Sequence, residues 1–260
     1  MRLELLILAI APVITIVLWM YLKDKYDKEP VHILTKFFTF GVLISVLAIY
    51  VEEWFININV FKESMNIFYM SFIVAGLVEE GLKSLILIPN LLKEKNFNEK
   101  LDGIIYSVFL SLGFATVENI IYILSEDPTS AFEVGVIRSV ISVPAHMLFG
   151  VIMGYYISKY KFTDSKSEKR INLILAIILP ILLHGVFDFI LMIQYRWSII
   201  VFIAYIAFLW KISLDKLDEY TNNSRIKFLR RYRKFRYKKR KDDKIDWITK
   251  KVFRRYARSS

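Results

Sequence analysis

Four short stretches place ionisable side chains inside otherwise apolar runs: Glu79-Glu80-Gly81-Leu82-Lys83, Glu118 within Phe114-Ala115-Thr116-Val117-Glu118-Asn119, His146 after Pro144-Ala145, and His184-Gly185-Val186-Phe187-Asp188. Their spacing suggests partners. On an α-helix Glu79 and Lys83 are four apart and share a face, with the acid in the favourable N-terminal position. Glu80 lies about 100° round the helix from Glu79, so one acid can pair with Lys83 while the other points elsewhere. His184 and Asp188 are again four apart, which lets a carboxylate orient an imidazole. Three chemistries suit such a set. A glutamate can act as general base on a water, with His146 or His184 stabilising an oxyanion or protonating a leaving group. His146, His184 and Glu118 could instead bind zinc, with a position left for water. Carboxylate and histidine chains also serve as proton relays or ion paths. No H-E-x-x-H run favours the metal, so the metal-free hydrolytic version is preferred over zinc. From the residues alone, hydrolase and transporter remain nearly equal.

The elements that must position these groups are membrane spans. Of 260 residues, 55% are hydrophobic and only 23% charged, and the charges are clumped between apolar runs. With a mean hydropathy of +0.42, a soluble globular domain is excluded. The absence of cysteine excludes a disulfide scaffold, a thiolate metal site and a thiol nucleophile. Seven runs approach the roughly 20 residues that a spanning helix needs: about 3–22, 33–53, 67–91, 102–125, 134–158, 171–194 and 197–213. The first reads as a retained anchor, because it runs to Trp19 and Tyr21 without a small-residue cleavage site. The expected fold is an all-α, polytopic membrane helix bundle of about seven transmembrane helices.

Basic residues alternate between the loops. Lys23, Lys25 and Lys28 follow the first run, Lys93, Lys95 and Lys100 the third, and Lys159, Lys161, Lys166, Lys169 and Arg170 the fifth. The intervening loops carry little beyond Lys62 and Arg196. The positive-inside rule then puts the N-terminus outside and the C-terminus in the cytoplasm. Glu79, His146 and His184 lie about 12 to 13 residues into their runs, roughly 18–20 Å deep. Glu118 lies nearer the outer surface. A mere packing role suits one Glu–Lys pair or one lone histidine, and it suits seven groups on four runs poorly. Pro144 and Pro180, just before the histidines, are expected to kink their helices beside a polar cavity. Gly150 and Gly154 form a small-xxx-small pair for close packing on a neighbour.

Residues 211–260 hold 19 of the 36 Lys+Arg and 6 of the 25 Asp+Glu, a balance of +13, which leaves −2 for the rest of the net +11. The chain divides into a membrane core, 1–215, and a basic cytoplasmic tail, 216–260. A juxtamembrane basic segment interleaved with Phe228, Tyr232, Phe235 and Tyr237 is expected to bind anionic lipid of the bilayer. Nucleic acid is the lesser reading.

The order E-E-x-x-K, F-A-x-x-E-N, a lone histidine in a span, then H-G-x-x-D resembles the PrsW family of intramembrane proteases. Tyr21-Leu22-Lys23-Asp24-Lys25-Tyr26-Asp27 with Glu29-Pro30, Asp102-Gly103 and Gly150 to Gly154 extend the likeness over roughly residues 10–215. The family is distantly similar to the CAAX-processing endoproteases. The resemblance implies a multi-pass protein of a bacterial-type cell membrane. It implies an endopeptidase making the first, extracytoplasmic-side cut in a membrane-anchored regulator such as an anti-sigma factor, which starts a stress-signalling cascade. It assigns Glu79 and Glu80 to the paired acids and His184 to the catalytic histidine, with Glu118, His146 and Asp188 in support. Beyond about residue 220 it implies nothing.

Overall fold

A computed structural model describes residues 2–256 apart from Pro128 and Gln194. Among the described residues every regular element is helical, as the apolar runs require. The chain runs through α1 (Arg2–Lys23), α2 (Val31–Asn57) and α3 (Glu63–Phe68), then a π-helix (Tyr69–Glu80) that continues into α4 (Gly81–Lys93). It then forms α5 (Lys100–Ser125), α6 (Ala131–Val140), α7 (Ser142–Phe162), α8 (Lys166–Met192) and α9 (Ser198–Tyr256). Six helices are long and apolar enough to cross a membrane, α6 and α7 counting as one. The expected third crossing falls on the composite rod Glu63–Lys93, which changes from α to π and back.

The centre of the bundle is α5, buried almost continuously from Leu101 to Ala115. Its neighbours approach at glycines, where backbones touch. A Cβ on Gly41 of α2 would lie 1.9 Å from the Leu110 carbonyl oxygen of α5, and one on Gly154 of α7 only 2.2 Å from that of Gly103. The small-xxx-small pair therefore packs on α5, with Gly150 against Ser111.

Two expected runs are drawn differently by the chain. The fifth is broken at Ile141, where φ is −111°. Pro144 has no N–H to offer the carbonyl four residues back, so α7 begins afresh with the proline in its first turn. Pro180, by contrast, lies within the unbroken α8. The seventh run does not stop near residue 213: α9 is one helix of 59 residues, about 88 Å long. Its Tyr220 and Ser224 are buried. At the same end of the bundle, Lys227 Nζ lies 2.8 Å from Glu99 Oε1 and Arg231 2.8 Å from Asp27 Oδ2. Lys161 donates to the Phe97 carbonyl. The loops following α1 and α4 and the basic stretch of α9 thus share one end of the molecule.

Candidate active site

The paired acids sit where the π-helix ends and α4 begins. A π-segment is wider than an α-helix and frequently marks a functional site. Gly76 lets this segment touch α8, since a Cβ there would stand 2.8 Å from the Ile181 carbonyl oxygen. That approach brings Glu80 to His184.

Lys83 is the hub. Its ammonium donates to Glu80 Oε1 at 2.6 Å, to Glu79 Oε2 at 3.2 Å and to His146 Nδ1 at 3.1 Å, and it stands 3.9 Å above the Phe114 ring. The expectation that one acid would turn away from Lys83 is therefore not met. A lysine side chain is long enough to end between acids three and four residues before it, and it is wholly buried. An ammonium donating to His146 Nδ1 leaves the imidazole hydrogen on Nε2, where Glu118 Oε2 accepts at 2.6 Å. The second imidazole, His184, directs Nδ1 at Glu80 Oε1 (3.1 Å) and Nε2 at Asp188 Oδ2 (3.4 Å). The two histidine rings meet edge to face at 5.4 Å, and His184 stacks on Phe149 at 4.9 Å. All seven sequence candidates, Glu79, Glu80, Lys83, Glu118, His146, Asp188 and His184, are joined in one network.

A cavity of about 300 Å³ adjoins this network, lined by Glu79, Glu118, His146, His184 and Asp188 but not by Glu80. Ile56, Met70, Ser142 and Met192 are also in its wall. These lie at the helix ends that the charge pattern assigns to the outside. Glu79 thus faces open space, while Glu80 is fully buried behind it.

Three further residues belong to the site. Arg138 donates to Glu118 Oε1 at 2.8 Å and to Asn119 Oδ1 at 3.0 Å, and it covers the Tyr122 ring at 3.9 Å. Asn119 in turn donates to the Ala9 carbonyl of α1 at 2.8 Å. Glu52, at the end of α2, lines the cavity wall. Arg138 stood in plain sight as a charge inside an apolar run. Glu52 lay at the boundary of the second run, where nothing in its spacing set it apart from a loop acid.

Ligand atoms of Glu79, Glu80, His146 and His184 all lie within 4.8 Å of one another. Two imidazoles and two carboxylates suit zinc. The second ring nitrogen of each histidine faces a carboxylate, Glu118 or Asp188, the outer pairing usual for metal-bound imidazoles. Buried Glu80 Oε2 has no hydrogen-bond partner among the described residues. The donor set therefore fits a metal. Of the zinc set read from the sequence (His146, His184 and Glu118), the two histidines are in this group, while Glu118 lies 2.6 Å from His146 Nε2. The Lys83 ammonium lies among the same atoms, so it and a metal ion would compete for one space.

A family model described as PrsW family intramembrane metalloprotease matches residues 29–212. The chain belongs to this family. It is 56% identical to Protease PrsW of Clostridioides difficile (strain 630) over 234 residues, 90% of this chain and 98% of that protein. It is 38% identical to Protease PrsW of Bacillus subtilis (strain 168) over 207 residues, 80% and 91% of the two chains. No solved structure matches it. As a PrsW-family chain it is a peptidase and a multi-pass membrane protein, and the transporter alternative falls away.

Proposed function

We propose that the chain cuts a single-span regulatory protein of the anti-sigma-factor kind near the outer membrane surface, with Glu79 as general base. The observation that carries this reading is the asymmetry of the paired acids. Glu79 borders the cavity, whereas Glu80 is enclosed and fixes both Lys83 and His184. A water beside Glu79 gives its proton to the carboxylate as its oxygen bonds to the scissile carbonyl carbon. The carbonyl becomes an oxyanion, which an imidazole N–H can stabilise. Collapse breaks the C–N bond, and the proton passes to the leaving amine. His184 suits this stabilising role better than His146. Its outer nitrogen is held at 3.4 Å by Asp188, against 2.6 Å for His146 by Glu118. The Lys83 ammonium supplies the positive charge that lets two acids share this buried site.

The test is coexpression with single-span anti-sigma factors and immunoblotting for a shortened product. Glu79→Gln and His184→Ala should each abolish cleavage without loss of inserted protein. Full activity in Glu79→Gln would sink the assignment of the base.

The converging donors favour a second reading, in which Glu79, Glu80, His146 and His184 hold zinc. Bound there, zinc would polarise the scissile carbonyl and acidify a water. Stoichiometric zinc in purified enzyme, with activity lost to a chelator and restored by zinc, would select this reading. Lys83→Met separates the two in addition. It should abolish metal-free activity, but it should tighten zinc binding, measured by titration, where the ammonium had competed.

The basic stretch of α9 binds anionic lipid on this reading, on the face opposite the cavity. Nucleic acid has no part in it.

A further inference from the structure

Beside the cavity of the site lies a smaller hollow of about 190 Å³, between α2 and α5. The two share Glu52, Glu79, Glu118 and Tyr122, so the hollow opens next to Glu79. Ala48 and Ile49 of α2, with Val117 and Ile121 of α5, give it apolar walls. Glu52 stands where cavity and hollow meet and is half-buried, while its neighbour Glu53 is exposed. Charge sets Glu52 apart from the other acids of the site. Glu79 and Glu80 share the Lys83 ammonium, Glu118 holds Arg138 and His146, and Asp188 meets His184. Glu52 makes no ion pair or hydrogen bond among the described residues. Five carboxylates thus stand with two fixed cations, Lys83 and Arg138, and two imidazoles. One negative charge is left over even with both rings protonated. A carboxylate within a span is costly, and such groups are usually paired.

We propose that Glu52 receives a lysine or arginine side chain of the substrate, from a residue flanking the scissile bond. The inference rests on the peptidase reading of the site and adds which side chain it selects. Chemistry decides the occupant. A metal ion is served by other atoms, since Glu52 is not among the donors that converge from Glu79, Glu80, His146 and His184. An acidic side chain would bring like charge onto a site already in excess of it. An apolar side chain would suit the walls but leave Glu52 uncompensated. Lysine and arginine combine an apolar stem, for Ile49, Val117 and Ile121, with a cationic head for the carboxylate. Place decides the position. Glu52 borders the same hollow as Glu79, so the side chain it meets belongs to a residue beside the bond under attack.

The probe is a coexpressed single-span protein that the wild-type chain shortens, its cut mapped by mass spectrometry of the released piece. Each residue near the cut is changed in turn to Lys and to Glu. At one of these positions the wild-type chain should cut the Lys form about tenfold faster than the Glu form, because like charge suppresses a wrong partner. Glu52→Gln should lower that ratio to about twofold, and Glu52→Lys should invert it. The ratio between two substrate forms is a readout that a merely structural role of Glu52 would not move. The wild-type comparison stands even where a variant fails to insert. Absence of a Lys preference at every position, a preference that survives Glu52→Gln, or equal slowing of both forms by Glu52→Gln would each overturn the role of Glu52 while leaving the peptidase reading intact. Failure of the wild-type chain to shorten any single-span protein would instead overturn the reading beneath it, and the role of Glu52 with it.

Discussion

Arg138 is the residue whose role is least direct. It touches nothing in the cavity that reacts, but it fixes Glu118, and Glu118 fixes His146. We therefore expect Arg138→Gln to lower kcat about 100-fold, the cost of a reacting group displaced by about 1 Å, with KM little changed. Arg138→Lys should recover part of the loss, because an ammonium can still meet Glu118 Oε1. The check is steady-state cleavage of a membrane-embedded substrate. A rise in KM at constant kcat would instead make Arg138 a substrate contact. Sequence spacing brought Glu79 with Lys83 and His184 with Asp188, because four residues make about one helical turn. It gave no hint of His146 with Glu118, or of His184 with Glu80, which lie 28 and 104 residues apart. Such pairs exist only once helices pack.

At the scale of elements, the site depends on how closely α5 is approached. Gly154 meets the backbone of Gly103, and no flexible side chain is there to move aside. Gly154→Val should therefore destabilise by about 1–3 kcal/mol or more, the usual range for overpacking, and push α7 with its His146 away from Lys83. Thermal unfolding in detergent should show a lower midpoint together with lost activity. Gly81 is the contrast, since a Cβ there meets only the Leu77 side chain at 3.9 Å. Gly81→Ala should leave the midpoint within a degree or two. If both variants behave alike, close approach is not what fixes α7. The apolar runs gave the helices, but the π-segment, the break at Ile141 and the length of α9 were not legible. Hydropathy reports what a helix faces. It does not report how its backbone is wound.

For the whole molecule, the end opposite the cavity carries a second group of acids. Burial, with Asp102 and Asp24 nearby, pushes Glu29 up to about 9 from 4.5, and burial raises Asp24 from 3.8 to about 6. Tyr106 donates to Glu29, and the Glu29 backbone N–H donates to Asp24. Both acids hold protons more tightly folded than unfolded, so folding takes up protons and stability falls as pH rises. For Glu29 the loss runs from about pH 4.5 to about 9. The unfolding midpoint should therefore drop between pH 6 and 9, and Glu29→Gln should flatten that drop. Parallel curves for the two proteins would count against it. The basic stretch of α9 makes a separate expectation. Peptide 221–260 should bind vesicles containing phosphatidylglycerol more tightly than neutral ones, and less so as salt shortens the Debye length below about 8 Å. Equal binding to both would remove the electrostatic cause. Removing residues after Tyr220 also deletes Lys227 and Arg231 with their ion pairs to Glu99 and Asp27. The Arg231–Asp27 pair is exposed and contributes at most about 1 kcal/mol, whereas Glu99 is buried and loses its cation; the truncated core should fold and cleave, with a lower unfolding midpoint.

Composition by itself determined that this chain lives in a bilayer, because hydrocarbon admits only segments whose backbone bonds are satisfied within them. Motif order determined the family, because ionisable residues within spans are too costly to recur without a use. Only the tertiary structure decided which glutamate borders the cavity. Glu79 and Glu80 are chemically identical neighbours, and what separates them is the packing of α8 and α7 around them. It likewise placed Lys83 among both acids and His146, and set Glu118 against the outer nitrogen of His146. Each of these depends on distances between helices remote in sequence, and helix packing sets those distances where local spacing does not.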